Sequence, residues 1–401
     1  MIPADSCLLI LTVGTGTAGR HSNLAQGLIN TLRTLRPRAF WLVPSTSPDS
    51  IAVADLIRDE LASTLPGTFA LWAADAPYRC IARHDSLEDC RAAVREVIRC
   101  ALRERCVGER LLVNPTSGTK QMSAGATLAA LDEGIGEIVF TVGEREDGVV
   151  KTGTERIETF DASAYFAERD LVLARELYAA GSHLAATCVL EKHPAFERPA
   201  AAARSVHEWC RLNYAAAATA AARAHATSQA HLQALARVAE STAPSALLVA
   251  DLLDGAGFAH RLGDPEWALS LGYKTLEAAI QHRAFEDLQL SPPYRSDALL
   301  AACPPAWLAA KIRNSANDDG IVRLGLRNLA ELLRAGREPL ATALLADRAL
   351  LRLVDARNEV THALRTITAT DSQQMVERAD HLFRRHLALP QIPTRPDVLQ
   401  I

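Results

Sequence analysis

Cys7-Leu8-Leu9-Ile10-Leu11-Thr12-Val13, followed at once by Gly14-Thr15-Gly16-Thr17-Ala18-Gly19, is the stretch whose reading decides the fold of the N-terminal half. The first run is apolar at every position but Thr12, with no polar residue at alternate places. A strand that shows one face to water alternates; a strand buried on both faces does not. The glycines directly behind it suit a tight turn from strand into helix.

The same pattern recurs outward from this run. Short apolar segments at Ala39 to Val43, Phe69 to Trp72, Leu111 to Asn114 and Glu137 to Val142 alternate with stretches of helical length near 22–36, 50–63, 86–104 and 120–133. Continuous apolar strands separated by helices predict a parallel sheet covered on both faces, a Rossmann-like α/β domain over residues 1–162. Gly143 to Gly153, rich in glycine and charge, reads as a closing hairpin.

Beyond about residue 165 the strand signals stop. Ala, Leu and Arg-rich segments follow, punctuated at Pro194, Pro199, Pro244, Pro265, Pro292-Pro293, Pro304-Pro305 and Pro339, so the rest reads as all-α. The division is a connector at 163–200 and a helical domain at 201–390. Ala215 to Ala222 predicts a tightly packed helix, since alanine is the best helix former. Leu177 to Leu190 has the look of a helical hairpin, and no fixed-period repeat is present.

With 49% hydrophobic and 22% charged residues the chain has the composition of an ordinary soluble globular protein, and 401 residues exceed one core. A formal net charge of -4 argues against a bulk polyanion binder and leaves any nucleic-acid contact to local patches. The eight cysteines form no C-x-x-C pair and no signal peptide precedes them, which predicts reduced thiols in the cytoplasm. Cys7 to Val13 falls far short of the roughly 20 apolar residues that span a bilayer, so no membrane association is expected.

Open parallel sheets bind ligands outside the carboxyl ends of their strands, which directs attention to two loops. Gly14-Thr15-Gly16-Thr17-Ala18-Gly19 has the G-x-G-x-x-G spacing of dinucleotide sites. The second strand, however, ends in Pro44-Ser45-Thr46-Ser47 and offers no acid for a ribose. Asn114-Pro115-Thr116-Ser117-Gly118-Thr119-Lys120 supplies hydroxyls, a glycine for close backbone approach and a cation at a helix start, which is how a chain holds phosphates. The expected ligand-binding residues are Gly14, Thr15, Gly16, Ser45, Asn114, Thr116, Ser117, Gly118, Thr119 and Lys120. Against this stands the plainer reading that the glycines serve only a turn and that Asn114 and Thr116 only cap a helix.

These residues resemble the CARF domain of CRISPR-associated proteins, a Rossmann-like fold with a glycine and threonine-rich loop after its first strand and N-x-T-x-G-T-K-x-M after its fourth. Asn114, Thr116, Gly118, Thr119, Lys120 and Met122 fit that pattern. The resemblance covers about residues 7–160 and implies a cyclic oligoadenylate ligand bound across a homodimer.

In the helical half, Arg followed by His after four to six residues is a weak pattern, and scanning every histidine finds it twice, at Arg79 to His84 and at Arg357 to His362. Arg79 lies in a predicted loop beside Pro77 without a partner asparagine and reads as a decoy. Arg357-Asn358-Glu359-Val360-Thr361-His362 lies in an uninterrupted helical pattern, where Asn358 and His362 are four apart and share a face. A second pair, Arg313-Asn314, leads into Asn317-Asp318-Asp319 and reads as a turn. The plainer reading of the hexad is a solvated surface helix.

The R-N-x-x-x-H hexad resembles the catalytic motif of HEPN ribonucleases, and Tyr273-Lys274-Thr275-Leu276-Glu277 resembles the Tyr-x-x-Leu-Glu helix that precedes it in CARF-containing relatives; Ala363 stands where many HEPN domains carry glycine. The resemblance implies catalytic Arg357, Asn358 and His362, no metal or other cofactor, and a type III CRISPR accessory effector that cuts single-stranded RNA when a cyclic oligoadenylate binds. Two other readings are a dinucleotide-binding oxidoreductase, which leaves the second loop and the hexad without a role, and a ligand-sensing transcription regulator. The latter wants a basic recognition helix that residues 200–390 do not clearly offer.

Overall fold

The computed structural model describes residues 6–15, 21–65, 68–146, 149–150, 153–241, 244–362 and 366–399, and among the helices the side chains of Asn358, Val360, Thr361 and His362 lie outside the description. The chain divides into two compact units, Met1–Glu168 and Arg169–Ile401.

The first unit is built on strands β1 (Cys7–Val13), β2 (Ala39–Pro44), β3 (Arg110–Asn114) and β4 (Glu137–Val142). Helices α1 (His21–Leu35), α2 (Pro48–Thr64), α3 (Leu87–Glu104) and α4 (Lys120–Asp132) alternate with them. The short pair β5 (Arg145–Glu146) and β6 (Val149–Val150) forms the expected hairpin, and β7 (Arg156–Asp161) closes the sheet in the order β2-β1-β3-β4-β7. β1 to β4 run parallel and β7 antiparallel to β4.

β1 shows why the apolar run is continuous. Leu8 and Ile10 point into one core with Trp41, Val43, Leu111, Val113 and residues of α3 and α4. Leu9 and Leu11 point into the opposite core with Phe40, Leu42, Leu112 and residues of α1 and α2. Every residue of β1 is buried, so each position along the strand loses its water contact on folding.

Two strand expectations are corrected. Phe69 to Trp72 makes a single bridge, Phe69 with Phe40, because the chain turns away at once through Ala73 to Ala76, and Leu71 is left exposed. β7 was not expected at all: its edge position leaves five of its six residues exposed, so RIETFD carries no apolar signature.

Among the described residues the regular structure of the second unit is helical apart from one pair of two-residue strands. The boundary falls within α5 (Ser163–Ala179), and α6 (His183–Leu190), α7 (Glu197–Cys210), α8 (Tyr214–Ala224), α9 (Gln229–Glu240) and α10 (Ala246–Arg261) follow. Then come α11 (Pro265–Leu288), β8 (Tyr294–Arg295), α12 (Ser296–Ala301), α13 (Ala306–Ser315), β9 (Ile321–Val322), α14 (Leu326–Ala335), α15 (Pro339–Ala346), α16 (Arg348–His362) and α17 (Ala369–His386). Arg313-Asn314 closes α13 rather than forming a turn; the turn comes at Asn317, whose Oδ1 accepts from the Ile321 amide at 2.7 Å.

α11 organises this unit. Asp264 caps its start by accepting from the Trp267 amide at 2.9 Å, Pro265 occupies the first turn, and the helix packs on α10, α14, α16 and α17. The chain after α17 returns across the domain to place Arg395, 2% exposed, between Asp251 and Asp254, with its guanidinium 4.7 Å from the Trp209 ring centre. Asp251 is also bonded by the Trp209 indole at 2.8 Å and the Tyr214 hydroxyl at 3.0 Å, the dense pairing that a fully buried charge requires. Among the described residues no helix is long and apolar enough to cross a membrane.

Candidate functional site

In the first unit the candidate residues lie at the carboxyl ends of three neighbouring strands, β2, β1 and β3. The loops after β1 and β3 touch directly. The Gly14 amide donates to Ser117 Oγ at 2.9 Å, and Thr12 Oγ1 donates to the Ser117 carbonyl at 2.6 Å. A Cβ on Gly14 would stand 2.6 Å from Gly118 Cα and 2.7 Å from Gly118 N, so only glycine permits this approach. Gly118 has φ +119°, a conformation that favours glycine, and lies over the buried Met122 side chain.

The remaining loop groups divide between scaffold and surface. Asn114 is fully buried; its Oδ1 accepts from the Thr116 amide at 3.0 Å and its Nδ2 donates to Thr141 Oγ1 at 2.9 Å. Thr116 Oγ1 accepts from the Thr141 amide at 2.8 Å, tying the loop to β4. The cap of α4 is Thr119, whose Oγ1 accepts from the Met122 amide at 3.2 Å and donates to the His84 carbonyl at 2.7 Å. Ser45 is buried at the end of β2, where its amide donates to Ser50 Oγ at 2.9 Å, which in turn donates to the Val13 carbonyl at 2.7 Å.

Three candidates face solvent: Thr15, Gly118 and Lys120, the last in the first turn of α4, where helix dipole and free amides favour an anion. Gly16 lies outside the described residues. Among the described residues the arrangement is a junction of Gly14 with Ser117 and Gly118, with a cation nearby in the chain at the start of α4. Sequence reasoning missed Thr141, Ser50 and His84, which hold the loops; of these only Thr141, a polar residue within the apolar run of β4, gave any signal. Gly14→Ala should therefore force the loops apart and destabilise the unit by about 1 to 3 kcal/mol. Thermal unfolding of the full chain should show a lower melting temperature, and an unchanged one would contradict the close-approach account.

In the second unit the two segments singled out by sequence pack together, Tyr273 on α11 and Arg357 on α16. The Arg357 guanidinium carbon lies 4.7 Å from the Tyr273 ring centre, a cation–π contact that fixes the direction of the arginine. Burial pushes the Tyr273 hydroxyl above its ordinary pKa, with Glu277 adding to the effect and Arg357 opposing it, so the ring stays neutral at pH 7. α16 is anchored beneath by buried Leu350, Leu353, Val354 and Ala356, and Asp355 pairs with Arg327 of α14 at 2.7 Å. A cleft of ≈ 210 Å³ opens here, lined by Tyr273, Arg327, Asn328, Val354 and Asp355 among others.

Asn358 and His362 belong to the last turns of α16, with their side chains outside the description. Arg79 is committed elsewhere: it pairs with Glu96 at 2.6 Å and donates to the Cys80 carbonyl at 2.8 Å. Among the described residues no group of three or more His, Cys, Asp or Glu converges to hold a metal ion.

No family model matches the chain, and no curated protein does. Among solved structures it is similar to Enterococcus italicus Csm6 bound to cyclic hexa-2'-fluoro-hexa-dAMP, at 10% identity over 96% of this chain and 95% of that one, with a TM-score of 0.65. The similarity extends over both units and shows a shared fold, an α/β domain followed by an all-α domain.

Proposed function

We infer, for a chain that has the fold of Csm6, a cyclic oligoadenylate-activated, metal-independent endoribonuclease of type III CRISPR defence that acts on single-stranded RNA as a homodimer in the cytoplasm. The observation that carries this reading is the junction of the Gly14 and Gly118 loops beside the exposed Lys120, at the strand ends where a ligand belongs, in a fold whose solved counterpart holds a cyclic hexanucleotide analogue. A ring with internal symmetry suits a two-fold axis that brings the same two loops face to face. The proposed ligand residues are Gly14, Thr15, Gly16, Ser45, Asn114, Thr116, Ser117, Gly118, Thr119 and Lys120. The buried Ser45 and Asn114 would act by holding the loops.

At the second site the reaction is attack by the RNA's own 2'-hydroxyl on the adjacent phosphate. The new 2'-oxygen bond to phosphorus forms as the 5'-oxygen leaves with a proton, giving a 2',3'-cyclic phosphate and a 5'-hydroxyl. His362 transfers protons, Arg357 steadies the charge that builds on the phosphorane, and Asn358 orients the histidine or the phosphate. The Tyr273 ring beneath Arg357 supports this role, since a guanidinium already held in place loses little freedom when it meets the phosphate.

Lys120→Ala tests the sensor. Loss of one charge-assisted contact should weaken activator binding by about 1.5 to 3 kcal/mol while the nuclease site stays intact. The activation curve should shift to much higher ligand concentration and reach the same plateau. An unchanged curve, with every cyclic oligoadenylate bound as tightly as by the parent, would remove this loop from the site.

A further inference from the structure

We propose that the helical unit carries a separate nucleotide pocket, a cleft of ≈ 510 Å³ between the start of α6, the end of α7 and the first half of α11, which takes one base and phosphate of the RNA substrate next to the position cut. The proposal rests on the nuclease reading of α16.

The lining has the chemistry of such a ligand. Arg211 and Lys274 bring two exposed cations, His183 and His207 two imidazoles, Trp267 an indole and Ser270 a hydroxyl, and among the described residues no carboxylate lines the cleft. A comparably large cleft nearby differs in being lined by Glu191, Glu197 and Glu208 together with Arg204 and Arg223, and another that carries Arg223 and Arg237 has neither an imidazole nor an aromatic ring. Among the described residues neither Arg211 nor Lys274 is ion-paired, unlike Arg204, Arg283, Arg327 and Arg384, each of which has an acid as partner. Cations on a phosphate together with an aromatic platform for a base are the two parts of single-strand recognition.

An independent observation points to a missing partner. His183 is only 4% exposed, lines this cleft, and its Nε2 makes no hydrogen bond. The ring is flanked by Tyr178, edge-on at 4.7 Å, and by Phe258, stacked at 5.8 Å, neither of which offers its Nε2 a partner. Burial, with His207 adding to it, holds its pKa down at about 4, so at pH 7 it is a neutral imidazole with an unused nitrogen. A buried and unsatisfied polar atom is costly unless something meets it.

Position ties the cleft to the reaction. Lys274 directly follows Tyr273, the residue on which Arg357 rests, so the cleft and the Arg357 region occupy adjacent faces of one turn of α11. A strand with its scissile phosphate at Arg357 has a neighbouring nucleotide within reach of Lys274 and Arg211.

The test uses the full-length chain and a short 2'-O-methyl oligoribonucleotide, which binds but offers no 2'-hydroxyl to attack. Arg211→Ala combined with Lys274→Ala, both on exposed heads, should weaken binding roughly tenfold or more and lower the salt dependence by about 0.7 per phosphate contact removed. A double variant that binds as tightly as wild type, with the same salt slope, overturns the pocket. Should the variant weaken binding in this way while the wild type, given each cyclic oligoadenylate, fails to cut unmodified RNA, the cleft stands as a nucleotide site, and the nuclease reading falls together with the cleft's place beside the position cut. If wild type does not bind the oligonucleotide at all, both fall.

Discussion

His362→Ala should cut RNA about 10² to 10⁴ times more slowly than wild type while binding activator normally, because proton transfer by a positioned imidazole is worth that much in rate. Arg357→Ala should show a loss of the same kind, since it removes the charge held above Tyr273. Arg79→Ala should cut at the wild-type rate, its guanidinium being engaged with Glu96 and the Cys80 carbonyl. Single-turnover cleavage at saturating activator separates the three. Wild-type cleavage by His362→Ala would remove the hexad from the chemistry.

A larger effect still is expected from the substrate. If the nucleophile is the RNA's own 2'-hydroxyl, replacing it by hydrogen at the scissile position leaves nothing to attack, and cleavage there should stop. One chain offers a single Arg-Asn-His set with one imidazole, whereas the reaction uses a base and an acid. Two chains about a two-fold axis would supply the second, so mixing His362→Ala with wild type should give heterodimers of strongly reduced activity. Full activity in a proven monomer, or efficient cutting of DNA, would contradict this chemistry.

Much of the fold was legible because burial writes itself into sequence. The continuous apolar runs of β1, β2 and β3 reflect strands enclosed on both faces, and their helices fell within a few residues of their observed ends. β7 was hidden for the opposite reason, being exposed along almost its whole length. Phe69 to Trp72 misled because aromatic residues packing against Phe40 and Tyr78 look the same in sequence whether they pair as a strand or bridge once. Arg313-Asn314 misled because the turn signal of Asn317 to Asp319 begins only after the helix has finished.

The loops were legible in kind but not in detail. Glycine at 118 announced a close approach and glycine at 14 a tight turn, yet sequence could not say that one loop approaches the other, since residues so far apart are brought together by the parallel pairing of β1 with β3. Ser50, His84 and Thr141 hold those loops from three different elements, and a contact across such separations leaves no local pattern. The contact between Tyr273 and Arg357 is of the same sort: each segment stood out alone, and only the packing of α11 on α16 joins them.

The central claim is that a ligand at the first unit switches on RNA cleavage by the second. Incubating the purified protein with labelled single-stranded RNA in excess chelator, alone and with each of a series of cyclic oligoadenylates, tests it most directly. The account predicts that one ring size raises the cleavage rate strongly and leaves fragments ending in a 2',3'-cyclic phosphate. No response to any cyclic oligoadenylate, or cleavage that appears only on adding a divalent metal, would contradict it.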